Sequence, residues 1–130
     1  MIVDTSALMA ILKKEPGFEI LEDKLVNTTG AKISIASVVE LLLVTRNEAK
    51  VDEILNRFDL EVIAVDYSHL YWLRHAIRNF ARGSKHPAKL NYGDCFAYAA
   101  SRATGEPLLF AGTDFAATDA IPAVTAQNVK

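Results

Sequence analysis

Cysteine is nearly missing from this chain, and its scarcity removes two architectures at once. Cys95 is the only cysteine among 130 residues, which excludes an intramolecular disulfide and a cysteine-rich zinc site. Next to Phe96 and Ala97 in an apolar stretch, it reads as a core residue rather than a reactive thiol. Long apolar runs are missing as well. None approaches the roughly 20 residues that a bilayer-spanning helix needs, and Met1-Ile2-Val3 leads into strand-like residues with no basic leader. The expectation is a cytoplasmic protein with no membrane association. An excess of one charge is also lacking: the net charge is −2 and the pI is near 5.9. Bulk charge therefore does not advertise nucleic acid, and any RNA affinity has to come from a local basic patch or from a metal. There is no G-x-S-x-G elbow, no Walker A loop and no G-x-G-x-x-G fingerprint. His69, His75 and His86 show no metal-ligand spacing with one another.

What is present is a chain with 51% hydrophobic residues and the length of one domain, 1–130, enough to bury a single core. Strand-like and helix-like segments alternate without repeats or an evident linker, the pattern of a parallel α/β fold. The spacing predicts strands near 1–4, 32–36, 61–65, 107–111 and 122–126. It predicts helices near 5–14, 18–27, 37–48, 50–58, 67–82 and 92–104, the last stopped by Gly105. The polar connection from Gly83 to Leu90 is the best candidate for a substrate-facing loop.

Four acids stand at the edges of these apolar segments. Asp4 closes the first strand, Glu40 follows the second, Asp94 opens the last helix, and Asp114 follows Leu108-Leu109-Phe110 in a turn. Carboxyl ends of parallel strands are where open α/β sheets place their sites. Each acid also has a purely structural reading. Ser37 and Glu40 have the spacing of a capping box, and so do Asn91 and Asp94. As a set they are harder to explain that way, because two carboxylates about 4 Å apart repel by roughly 4 kcal/mol at an effective dielectric near 20. A cation or a basic partner makes such a cluster sensible. Hard oxygen donors without paired Cys or His select Mg²⁺ or Mn²⁺ over zinc, and those ions serve phosphoryl chemistry.

These pieces, from Ile2-Val3-Asp4-Thr5-Ser6 through Asn91-Tyr92-Gly93-Asp94 to Gly112-Thr113-Asp114-Phe115 and Thr118-Asp119, together resemble PIN-domain ribonucleases of the VapC toxin family. The resemblance implies a PIN-like fold with a parallel five-stranded sheet flanked by helices, a homodimer, Mg²⁺- or Mn²⁺-dependent cleavage of RNA, and inhibition by a VapB-type antitoxin. It makes Asp4, Glu40, Asp94 and Asp114 the catalytic metal ligands and Asp119 an accessory one. Ser6 and Thr113 either orient a carboxylate or water, or cap helices. Arg74, Arg78 and Arg82 recur at i, i+4, i+8 with Lys85 and Lys89 beyond them. That stripe is either a phosphate-binding face or a solvated helix face. Two rivals are a haloacid dehalogenase-like phosphatase and a non-catalytic Mg²⁺-binding module resembling a response-regulator receiver. The first wants an Asp where Ser6 stands; the second wants paired acids at the first strand and a late-strand lysine.

Overall fold

A computed structural model describes residues 1–124. In chain order the elements are β1 (Ile2–Val3), α1 (Thr5–Lys13), α2 (Phe18–Val26), β2 (Lys32–Ser34), α3 (Ile35–Thr45), α4 (Glu48–Arg57), β3 (Glu61–Ile63), α5 (Tyr67–Asn79), α6 (Tyr92–Thr104) and β4 (Leu108–Leu109). All strand pairs are parallel and the order is β3-β2-β1-β4. Successive side chains on a strand point to opposite faces, and along β1, β4 and most of β2 both faces are covered, whereas the edge strand β3 is largely exposed. Ile2 and Leu108, in register with one another, enter a core with Ala76, Leu90, Tyr98 and Phe115. Val3, Ile33 and Leu109 enter the other, with Leu8, Ile11, Leu21, Leu25, Leu41 and Ile54. Burial on both sides is why the strands read as continuous apolar runs instead of alternating ones. Among the described residues no helix is long and apolar enough to cross a membrane.

The strands are shorter than the sequence suggests because their last residues turn into helix caps. Asp4 and Ser34 keep extended backbones while their side chains accept the amides of Ser6 and Ala36. This corrects the reading of the third helix. It starts at Ile35, not Ser37, because Ser34 supplies the first capping oxygen as the chain leaves the sheet. Ser37 therefore forms no capping box, and Glu40 lies in the second turn of α3.

Two further expectations change. The fifth strand, placed at 122–126, is reduced to an isolated parallel bridge between Leu108 and Pro122; residues 125 and 126 lie outside the described residues. Leu108 donates to the Ile121 carbonyl and Ala123 to that of Leu108, while Pro122 has no N–H to extend a ladder. Among the described residues the sheet thus has four strands. Helix α5 stops at Asn79, since the amides of Phe80 and Ala81 both fold back onto the Ala76 carbonyl. Arg82 is consequently off the helix, and the three-arginine stripe is broken: only Arg74 and Arg78 lie on the exposed side of α5.

Candidate active site

In the order β3-β2-β1-β4 the chain runs from β1 through β2 to β3 on one side and then crosses back to β4 on the other side of β1, and the crevice outside the carboxyl ends at such a switch point is where these sheets bind ligands. Asp4 follows β1 directly. Its Oδ2 accepts the Ser6 amide at 2.9 Å, while Oδ1 is buried and has no hydrogen-bond partner. The residue is 2% exposed. Its surroundings are tied down by two further bonds: the Thr5 hydroxyl donates to the Ser37 carbonyl at 3.1 Å, and Ser6 Oγ accepts the Ala111 amide at 3.0 Å. Ser6 thus links the start of α1 to the segment after β4.

Asp94 sits in the first turn of α6 and is also buried. The Asn91–Asp94 capping box is real: Asn91 Oδ1 accepts the Asp94 amide at 2.8 Å, and Asp94 Oδ2 accepts the Asn91 amide at 3.0 Å. Capping and a role in the site are compatible, because the box fixes one carboxylate oxygen and positions the other. Glu40 reaches this helix start from α3. A Cβ placed on Gly93 would lie 2.8 Å from Glu40 Oε1 and closer still to Oε2, so the glutamate occupies space that only a glycine leaves open. Asp114 follows β4 in an exposed turn anchored by the buried Phe115.

The electrostatics join the four. Burial pushes the Asp4 carboxyl up to about 7 against the opposing bonds from Ser6, and the charges of Asp94 and Glu40 add to the rise. Asp94 is raised as well, first by burial; Asp114 and Glu40 push it the same way, whereas the Asn91 amide and Arg82 pull it down. A buried carboxylate oxygen with no donor, crowded by like charges, is a position that a divalent cation would satisfy, and the all-oxygen donor set suits Mg²⁺ or Mn²⁺. The carboxylates are neighbours without yet enclosing a site: among the described residues no three Asp, Glu, His or Cys side chains are drawn together as a closed chelate.

Asp119 is not brought into this group. Tyr98 Oη donates to its Oδ1 at 2.6 Å, and His75 Nε2 and Arg102 Nη2 approach Oδ2 at 3.7 and 3.9 Å. The other histidines are placed elsewhere too: His69 is buried on α5, and His86 lies in the loop before α6. Cys95 is buried, as expected of a core residue. Thr113 is exposed in the Asp114 turn. Sequence reasoning missed the part played by Gly93, and it placed Arg82 on the helix with Arg74 and Arg78 rather than in the loop beyond α5. The signal for the first was available, since glycine early in a helix is costly and invites a packing explanation. The loop position of Arg82 had no such signal, because it depends on where α5 ends.

The chain matches the PIN domain over residues 1–121. It is 40% identical to Ribonuclease VapC42 of Mycobacterium tuberculosis over 131 aligned positions, covering 96% of this chain and 100% of the relative. It is 39% identical to Ribonuclease VapC of Mycolicibacterium smegmatis, covering 92% and 96%. Its fold is similar to a chain in the crystal structure of VapBC2 from Rickettsia felis bound to a promoter DNA fragment, with a TM-score of 0.72 at 16% identity over 93% and 94% of the two chains. Neither the phosphatase nor the receiver reading finds support in these matches. The chain belongs to the PIN-domain family, among the VapC ribonucleases.

Proposed function

We propose that this protein is an endoribonuclease acting as the toxin of a type II toxin-antitoxin pair, hydrolysing RNA phosphodiester bonds with Mg²⁺ or Mn²⁺ held by Asp4, Glu40, Asp94 and Asp114. The observation that carries the metal assignment is the buried, unpartnered Oδ1 of Asp4 amid the charges of Glu40 and Asp94. The activity is supported by relatives at 40% identity that are named ribonucleases. When bound, the ion supplies charge neutralisation at the phosphate and makes water more acidic. The chain's own residues do the positioning. The Ser6 amide fixes Asp4, the Asn91 amide fixes Asp94, and Gly93 makes room for Glu40. Asp119, held by Tyr98, His75 and Arg102, serves this reading as a support outside the ligand set.

A VapB-type antitoxin and a second copy of the chain are the partners of this reading, and a cytoplasmic location follows from an RNA substrate. The apolar residues Ile35, Val39 and Leu43 lie exposed along one side of α3 and support such contacts. The test is incubation of purified protein with a labelled single-stranded or looped RNA. Cleavage with Mg²⁺ or Mn²⁺ that stops in EDTA is expected; undiminished cleavage in excess chelator contradicts the metal assignment, and no cleavage with either ion contradicts the activity.

A further inference from the structure

Between Asp66 and Asp94 the chain carries Arg74, Arg78, Arg82, Lys85 and Lys89 and not one carboxylate, in a protein whose net charge is −2. The break in α5 divides these cations into two on the helix and three on the loop. The loop is closed at its neck. Ala81 and Leu90 form a parallel bridge, the Arg82 amide donates to the Leu90 carbonyl at 3.1 Å, and the Leu90 amide donates to that of Phe80 at 2.8 Å. Its interior is packed. Ala88 and Leu90 are buried, and the His86 ring stands edge-on to Phe80 with centroids 4.9 Å apart. His86 Nδ1 accepts the Ala88 amide at 3.0 Å, and the Ser84 hydroxyl donates to the Ala81 carbonyl at 2.6 Å. With the apolar side chains turned in, Arg82, Lys85 and Lys89 are left exposed.

The loop also has a fixed position relative to the acids. Leu90, to which Arg82 is pinned, directly precedes Asn91, the cap of the helix that carries Asp94. Lys85 and Lys89 hold left-handed backbones, φ 67° and 50°, where glycine or asparagine would be easier. The packed loop thus defines the backbone from which these two lysines project.

We propose that Arg82, Lys85 and Lys89 form the phosphate-binding edge of the active site, seating the RNA backbone beside Asp94, and that Arg74 and Arg78 are a solvated helix face. This inference rests on the ribonuclease reading. Arg82 is the central positioning residue, since a guanidinium presents a planar fork to phosphate oxygens.

The test is fluorescence anisotropy with a labelled single-stranded RNA of mixed sequence, in EDTA to prevent cleavage, across a salt series. The proteins are the wild type, the triple variant Arg82→Gln/Lys85→Gln/Lys89→Gln, the helix variant Arg74→Gln/Arg78→Gln, and Arg82→Lys. Each neutralised phosphate contact on a single strand contributes about 0.7 to the salt slope. The loop variant is expected to bind at least tenfold more weakly with a slope lower by about 2. The helix variant should match the wild type, and Arg82→Lys should keep the slope. A loop variant with wild-type affinity and slope overturns the proposal, as does an equal loss in the helix variant. A wild type that binds no RNA at low salt overturns the ribonuclease reading itself. Thermal melts check folding; if the triple variant is unfolded, Lys85→Gln/Lys89→Gln replaces it, with an expected slope change of about 1.4.

Discussion

Gly93 shows how a residue without a side chain shapes the site. Its missing Cβ leaves the space that the Glu40 carboxylate fills, so Gly93→Ala should displace that carboxylate. We expect RNA cleavage to fall at least tenfold, while stability falls by only what overpacking costs, about 1–3 kcal/mol. Full activity in a folded Gly93→Ala variant would remove Glu40 from its place against α6. Asp4 gives a second prediction through pH. Its folded-state proton affinity is raised from 3.8 to about 7, so between those values the metal-free folded protein binds a proton that the unfolded chain has released. Stability from this group is therefore greatest below about pH 4, declines as pH rises toward 7 and levels off above, with a ceiling on the order of 4 kcal/mol. Denaturant midpoints measured in EDTA should be higher at pH 5 than at pH 7.5, and Asp4→Asn should flatten that difference. An unchanged pH slope in the variant would contradict the burial argument.

At the scale of elements, α5, α6 and the segment after β4 are joined through one aromatic and charged cluster. His75 stacks on Tyr98 at 10° with centroids 6.4 Å apart, Arg102 lies over the Trp72 ring at 4.4 Å, and the Tyr98 hydroxyl holds Asp119. Tyr98→Phe should cost about 1–2 kcal/mol by removing that bond. Asp119→Asn keeps an acceptor on a half-exposed residue and should cost under about 1 kcal/mol, with cleavage within about threefold of wild type. A loss of a hundredfold or more in Asp119→Asn would instead make it a metal ligand. How legible the elements were in sequence follows from the same physics. Helix α6 was readable at both ends because Asn91 caps it and Gly105 stops it. The end of α5 was not, since no breaker precedes Gly83 and the turn depends on the distant Leu90 carbonyl. Strand ends were overestimated because Asp4 and Ser34 serve as caps. The places of Asp4 at a strand exit and Asp94 at a helix start were legible in the sequence, whereas Glu40 lies one turn deeper in α3 than its spacing suggests. The contact of Glu40 with Gly93 joins residues far apart in sequence, and no local pattern encodes it.

At the scale of the whole molecule, the fold gathers negative charge at the carboxyl end of a parallel sheet, where burial and like charges hold the Asp4 and Asp94 carboxyls above their usual range. Expression in growing cells should arrest growth, and co-expression of a cognate antitoxin should restore it. Unimpeded growth with well-folded, abundant protein would contradict the toxin role. The measurement that tests the central claim most directly is a melting series with and without Mg²⁺ on wild type and Asp94→Asn, paired with RNA cleavage by the same samples. In the wild type, Mg²⁺ at ten times its dissociation constant should add about 1.4 kcal/mol of stability. In EDTA the variant should melt level with the wild type or above it, because the neutral amide relieves the repulsion that burial and like charges impose on Asp94, while both its Mg²⁺ response and its cleavage collapse. A variant that is less stable, yet keeps its Mg²⁺ response and its cleavage, would leave Asp94 as a helix cap alone and contradict a nuclease site built on four carboxylates.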